Sequence, residues 1–427
     1  MRGRRRVGKS FLLNESFKGR RFVYFQADEG EERGHLDLLA VEAQSLISAP
    51  IAFADWDSAL TFLENQGREE PLVVVLDEYQ WLQKSQPQLD SKIMRHFDRW
   101  ERERVPVTLV LSGSALTLME ELLEGDRPMF GRASYRPLIE PFDYRDASAF
   151  APSSANSAEK LRRFGVLGGT AQYQVWAGDL ELPRLLRERI LAKDESLFEE
   201  PLQLIRGEDE IREPGSYYAI LRAIADGRTQ FSEIEAASKI SSGQLLTKRL
   251  NRLEQLRYIE QRDSVGGNGT STWQISDPFF TFWFRYVYPA RSRLQSGRTE
   301  EVARSVEADL DNHMGWVFEE VCRRWARRYA SMPELADAEE IGAYWTRTHD
   351  VEIDVVARGK KDYTALGSCK WSASADTHAL DRLKESRDKV RGAAGAKLLI
   401  FARGFHPALV ERAAAENVTL IPADDLF

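Results

Sequence analysis

The stretch Gly3-Arg-Arg-Arg-Val-Gly-Lys-Ser10 fits the spacing GxxxxGK[ST] without a gap. Glycine at both ends lets successive backbone N–H groups curl round a phosphate, and a lysine and a hydroxyl follow where positive charge and a metal ligand are wanted. In that reading Gly3, Arg4, Arg5, Arg6, Val7, Gly8, Lys9 and Ser10 form the cradle. Lys9 reaches the outer phosphates, and Ser10 ligates Mg2+. A helix over Ser10–Glu15 then turns its positive end to the anion. The competing reading is a basic arm with no ligand.

Outward from the loop, strand and helix patterns alternate. Arg21–Ala27 reads as a strand, His35–Ile47 and Trp56–Leu63 as helices, and Lys92–Arg102 as another helix. Leu72–Leu76 and Val107–Leu111 are continuous apolar runs of strand length, the pattern of strands covered on both faces of a parallel sheet. The first run delivers Asp77 and Glu78 at its carboxyl end, one to hold a metal and one to polarise water. The second ends at Ser112-Gly-Ser114, which sets hydroxyls beside the same edge. An acidic strand end alone is common. Loop, acidic end and hydroxyl end in this order point to a nucleotide site that uses ATP and Mg2+.

Composition bounds the rest. The 427 residues carry 59 Lys+Arg against 67 Asp+Glu, a net charge of −8, with 43% hydrophobic residues. That excludes a disordered chain and a wholly basic nucleic-acid coat, and the length suggests roughly three domains of about 150 residues. Cys322 and Cys369 cannot build a disulfide framework, and the six histidines show no HExxH spacing, so no zinc site is expected. No apolar run approaches the roughly 18 residues of a membrane span, and the apolar part of MRGRRRVGKSFLL is too short for a signal peptide. A cytoplasmic protein without a membrane partner is expected.

After a loop at Ala151–Ser157, helices run from Glu159 to about Arg206. Helices Tyr217–Ala225, Phe231–Ala237 and Gln244–Arg257 precede strands Tyr258–Arg262 and Thr272–Ile275, with turns at Ser241-Ser242-Gly243 and Gly266–Gly269. That is the outline of a winged helix-turn-helix. Leu246, Leu250 and Leu253 form the core stripe of its third helix, and Lys248, Arg249 and Arg252 lie off the stripe, where they could meet DNA phosphates. Residues 215–289 hold nine Lys/Arg and seven Asp/Glu, so the module is barely basic, and packing against protein competes evenly with DNA contact. The aromatic run Phe279–Pro289 reads as buried. A last block has a helix at Trp316–Tyr329, strands at Ala343–Thr346, Glu352–Ala357 and Tyr363–Gly367, a helix at Ala379–Val390 and a strand at Lys397–Ala402.

The runs GRRRVGKS, VYFQADE, LVVVLDEYQWL, LVLSGSALTLMEEL and PMFGRAS resemble the archaeal-type AAA+/STAND P-loop ATPases, and the likeness extends over the whole chain. It implies an α/β P-loop NTPase domain at 1–150, a helical lid-like region at 151–214, a winged helix at 215–290 and a PD-(D/E)xK nuclease-like domain at 295–427. Carried over, Gly3, Gly8, Lys9 and Ser10 are Walker A, Asp77 and Glu78 are Walker B, and Ser114 is the sensor-1 residue. Arg132 is the candidate arginine for the γ-phosphate, supplied in cis or by a neighbour in a homo-oligomer. Gly168-Gly-Thr-Ala171 departs from the family's GGxP. The family also has a β-strand ahead of the P-loop, absent here, so weak or absent ATP binding is expected.

In the nuclease-like part, Asp354 is the metal carboxylate, Lys370 the motif lysine and Glu319 the accessory acid. Ser368 replaces the motif glutamate, which removes a charge that would hold Mg2+, and the fold is expected not to cut. Glu352, on the same strand face as Asp354, is the one rescue. Arg323, Arg324, Arg327 and Arg328 read as a solvated helix face, with nucleic-acid phosphates as the alternative. Three functions follow: an ATPase whose nucleotide state drives the other modules, a non-hydrolysing regulatory protein, and an ATP-regulated Mg2+-dependent DNA endonuclease.

Overall fold

The computed structural model describes every residue except Ser48, Asp126, Ser241 and Asn268. The expected turns at 241–243 and 266–269 therefore each contain one position outside the described residues. The chain divides into two compact units: Met1–Pro141 with Thr170–Gln172, and Phe142–Gly169 with Tyr173–Phe427. The three modules expected after residue 150 belong almost wholly to the second unit.

The N-terminal unit contains helix α1 (Lys9–Ser16), strand β1 (Phe22–Gln26), helices α2 (Glu32–Ala43) and α3 (Trp56–Glu69), and strand β2 (Leu72–Asp77). Helices α4 (Tyr79–Ser85) and α5 (Leu89–Glu103), strand β3 (Val107–Leu111) and helix α6 (Leu116–Glu121) follow. The strands form a parallel sheet in the order β1-β2-β3. All six residues of β2 are buried, as its unbroken apolar run requires of a central strand covered on both faces. Asp55 starts α3 with a capping box to Ser58, and the helix runs six residues past the expected Leu63. Its Glu64 accepts from the Trp100 indole of α5 at 3.0 Å, which locks two covering helices together.

The outer edge of β3 pairs with no further strand among the described residues. Its end is met by the chain's first residue: the Met1 ammonium donates to the Leu111 carbonyl at 2.6 Å, and the Gly113 N–H donates to the Met1 carbonyl at 3.2 Å. On the other side, Arg2 exchanges bonds of 3.0 and 2.8 Å with Pro137 and Ile139. Residues 1 and 2 thus lie as a short parallel bridge between the two. Beyond them, a cavity of about 660 Å³ runs along β3, lined by Leu12, Leu13 and Phe17 on one side and by Met94, Phe97 and Met129 among others.

In the larger unit, helices Pro214–Ala225, Phe231–Ser238 and Gly243–Gln255 precede the antiparallel hairpin β4 (Ile259–Arg262) and β5 (Thr272–Ile275). Leu246, Leu250 and Leu253 are buried as their spacing predicts. The aromatic run continues as helix Pro278–Phe282 and a π-helical turn Trp283–Val287, with five of its rings buried in the main core. A 30-residue helix, Thr299–Arg328, begins seventeen residues before the expected Trp316. The terminal sheet comprises β6 (Glu340–Trp345), β7 (Glu352–Arg358), β8 (Tyr363–Lys370), β9 (Lys397–Ala402) and β10 (Thr419–Pro422). Its order is β10-β9-β8-β7-β6, parallel from β10 to β8 and antiparallel from β8 to β6. Helix Pro407–Ala415 and β10 complete it. One hydrophobic core joins Leu246 of helix Gly243–Gln255, Phe280 of the aromatic run and Val355 and Phe401 of this sheet.

Candidate functional site

Lys9 opens α1 directly after Gly8, whose φ of 98° suits glycine, and Arg6 also takes a left-handed turn at φ 69°. A Cβ on Gly3 would lie 2.5 Å from the Ile139 carbonyl oxygen, so only glycine fits there. The Lys9 ammonium is buried and donates to the Gly3 and Arg4 carbonyls at 2.8 and 3.1 Å, which folds it across its own loop. Burial lowers its pKa below the ordinary lysine value, with Glu78 and Asp77 opposing the shift and Arg5 adding to it. The Gln172 N–H donates to the Arg6 carbonyl at 3.1 Å, so Thr170–Gln172, where the GGxP departure falls, closes on the loop.

The carboxyl end of β2 meets the loop. The Ser10 hydroxyl donates to Asp77 Oδ2 at 2.7 Å, and the Tyr24 hydroxyl of β1 donates to the same oxygen. The Glu78 N–H donates to Oδ1 at 3.0 Å. Burial works to raise the Asp77 pKa, but the Tyr24 and Ser10 donors outweigh it and hold the carboxyl below the ordinary range. These residues fit Mg2+: a hard cation takes oxygen ligands, and Ser10 Oγ and the ionised Asp77 would hold it. Glu78 stands at φ 52°, left-handed for a residue with a Cβ, just before α4. Its Oε2 accepts from the Ser114 hydroxyl at 2.7 Å, from the Ser114 N–H at 3.2 Å and from the Gln80 amide.

Lys9, Ser10, Asp77, Glu78 and Ser114 are therefore brought together. Arg132 is not among them: it pairs with Asp98 of α5 at 3.3 Å and lines the cavity along β3. Arg5 is exposed. Tyr24 and Gln80 were missed by sequence reasoning; the signal available was Tyr24 in VYFQADE and Gln80 in LDEYQ.

A second cluster lies between helix Thr299–Arg328, β7 and β8. The Cys369 N–H donates to Asp354 Oδ2 at 2.7 Å, the Ser368 hydroxyl stands 3.5 Å away and Lys370 Nζ 4.0 Å away. Arg323, expected on a solvated face, is instead buried. It donates to the Asp354 carbonyl at 2.9 Å and faces Glu319 at 3.5 Å and Glu320 at 3.1 Å. Its guanidinium supplies the positive charge that a metal would bring, and Ser368 brings none of the negative charge a metal needs. No group of three His, Cys, Asp or Glu among the described residues could hold a metal ion. Mg2+ does not fit here. Burial and the neighbouring Asp354 push the Glu319 carboxyl up to about 7, with Arg323 and Lys370 opposing. The Glu352 side chain bonds His349 at 2.7 Å.

Two of the three basic candidates on helix Gly243–Gln255 are already paired within the chain. Arg249 pairs with Glu213 at 2.7 Å and Arg252 with Glu210 at 3.0 Å; only Lys248 of the three is exposed. The hairpin tip is stitched to β6: the Trp345 indole donates to Thr270 O at 2.8 Å, and Ser264 Oγ donates to Trp345 O at 2.8 Å. A Cβ on Gly269 would come within 2.5 Å of the indole. No described helix is long and apolar enough to cross a membrane.

Residues 283–381 match a family described as archaeal and bacterial proteins of unknown function (DUF234). An uncharacterised protein of Methanocaldococcus jannaschii is 28% identical over 377 residues, covering 86% of this chain and 81% of that one. Among solved structures, a Walker-type ATPase of Pyrococcus abyssi aligns with a TM-score of 0.50 at 22% identity, over 66% of this chain and 89% of the ATPase. An ORC2 protein of Aeropyrum pernix in ADPNP–ADP complexes aligns with a TM-score of 0.44 at 15% identity, over 72% and 88%. The Pyrococcus likeness is one of fold: an α/β arrangement resembling P-loop ATPases.

Proposed function

We propose that this chain binds ATP with Mg2+ at Gly3–Ser10 and hydrolyses it. The observation that carries the reading is the Ser10–Asp77 hydrogen bond, which joins the glycine loop to the acidic end of a buried parallel strand. Mg2+, when bound, supplies positive charge to the phosphates. Lys9 exchanges its two loop carbonyls for phosphate oxygens, and Glu78 takes a proton from water as the water oxygen attacks the γ-phosphorus. The bond to the β-phosphate oxygen breaks and its electron pair leaves with ADP. The test is saturable binding of a fluorescent ATP analogue with Mg2+, followed by phosphate release. Lys9→Ala is expected to abolish both, and binding that survives Lys9→Ala refutes the site.

In this reading the winged helix responds to nucleotide through protein contacts, because two of its three basic candidates are already paired and its wing tip is held by Trp345. The nuclease-like centre does not cut DNA, for Arg323 stands where a metal's charge would be needed. Plasmid nicking with Mg2+ that disappears in Asp354→Ala would overturn that part. A non-hydrolysing regulatory protein is the second reading, favoured by the outer edge of β3, which no further strand pairs among the described residues.

A further inference from the structure

Gln80 is an unusual residue to bury. It is 4% exposed in the first turn of α4, where an apolar side chain would meet no polar penalty. Its amide nitrogen donates to Glu78 Oε2 and stands 3.4 Å from Ser114 Oγ. Its carbonyl oxygen is buried with no hydrogen-bond partner. The amide cannot be turned round to relieve that, since its carbonyl would then face a carboxylate, acceptor against acceptor. The fold therefore leaves one half of this amide unsatisfied to keep the other half on Glu78.

Glu78 has reason to need holding. Its backbone sits in the left-handed region at φ 52°, and two side chains and one N–H converge on the same oxygen, Oε2. Among the described residues no protein donor reaches Oε1. A carboxylate fixed by one oxygen presents the other in a single orientation, which is the requirement for proton transfer from a positioned water.

We propose that Gln80 is a positioning residue for the general base: with Ser114 it anchors Oε2 of Glu78 and leaves Oε1 as the oxygen that accepts the proton of the attacking water. The inference rests on the ATPase reading above. Gln80 touches no substrate in it, so its loss acts on turnover and not on nucleotide affinity.

The experiment measures kcat for ATP hydrolysis and Kd for the fluorescent ATP analogue in the full chain, with thermal melting as the folding control. Gln80→Met, close in length but without a donor, is expected to lower kcat by roughly tenfold or more at unchanged Kd, the scale on which loss of orientation acts. Ser114→Ala is expected to do the same. The Gln80→Met/Ser114→Ala pair falls short of the product of the single effects, because both act on one oxygen. Should Gln80→Met not fold, Gln80→Glu, equal in size and lacking the donor at neutral pH, is read in its place. A folded variant with kcat within about twofold of the parent overturns the inference and leaves the ATPase reading intact. Absence of Lys9-dependent hydrolysis in the parent chain overturns both.

Discussion

Asp77 accepts from two hydroxyls on one oxygen, and the hydroxyls come from two different elements of the chain. Ser10 belongs to the loop and would share a metal with the carboxylate; Tyr24 belongs to the neighbouring strand and would compete with that metal for Oδ2. Tyr24→Phe is accordingly expected to cost about 1.5–3 kcal/mol of stability in urea unfolding, the worth of a hydrogen bond to a charged group. It should also lower the Mg2+ concentration needed for half-maximal ATP binding. An unchanged Mg2+ requirement would show that the tyrosine is only structural. Ser10 and Asp77 were legible because motif spacing encodes them. Tyr24 was not, since its role exists only once β1 lies beside β2, and those strands are joined by two helices.

Glu319 gives a pH-dependent counterpart. Its carboxyl is pushed up to about 7 in the folded chain, by burial first and by Asp354 second. In the unfolded chain it ionises near the ordinary glutamate value of about 4.3. A raised acid pKa penalises the folded state once the unfolded chain has ionised, and the penalty grows between those values and is complete above pH 7. Glu319→Gln should therefore raise the melting temperature at pH 8 and have its smallest effect near pH 4. The reverse order would exclude this account.

At the scale of elements, the edge of β3 makes the sharpest prediction. The adjoining cavity is lined mainly by apolar side chains with Arg132 and Arg136 among them, and Met1 and Arg2 already bridge its mouth in parallel register. Five Val/Ile residues added ahead of Met1 should extend that bridge along Val107–Leu111, raise the melting temperature and tighten ATP binding. A polar five-residue extension is the control, and equal behaviour of the two would argue against strand pairing. The sequence reading expected a strand buried on both faces at Val107–Leu111; the strand is there, but it lies at the sheet edge with Thr108 exposed and its other four residues only partly buried. Elsewhere it shortened what it saw. Thr299–Arg328 was read only from Trp316, because its first half is rich in acidic and basic residues that mask the buried stripe Val302, Val306 and Leu310. Helix Pro407–Ala415 and β10, nine and four residues long, were passed over because such short runs carry little periodic signal.

For the whole molecule, the buried core of the larger unit sets its response to acid. His313 is fully enclosed, with Nε2 2.8 Å from the Gly165 carbonyl, and burial lowers its pKa to about 4. The unfolded chain takes up that proton near pH 6.5, so stability is lost as pH falls from 6.5 towards 4, by on the order of 3 kcal/mol in all. A His313→Gln variant, if folded, should show a flatter decline in unfolding free energy over that interval. Arg323 departs from the solvated helix face expected of it. Four arginines at helical spacing look like a wet face, and only the close approach of β7 turns one of them inward onto Asp354.

The amide of Gln172 on the carbonyl of Arg6 carries a lesson about inheritance. A gene that exchanged its first 141 codons with a cousin would transfer the loop, the sheet and its covering helices, but not the three residues at 170–172 that complete the same unit. Such a hybrid would begin life with its loop closed by a stranger's segment. Recombination at residue 141 is thereby expected to be costlier than the compactness of the N-terminal unit suggests.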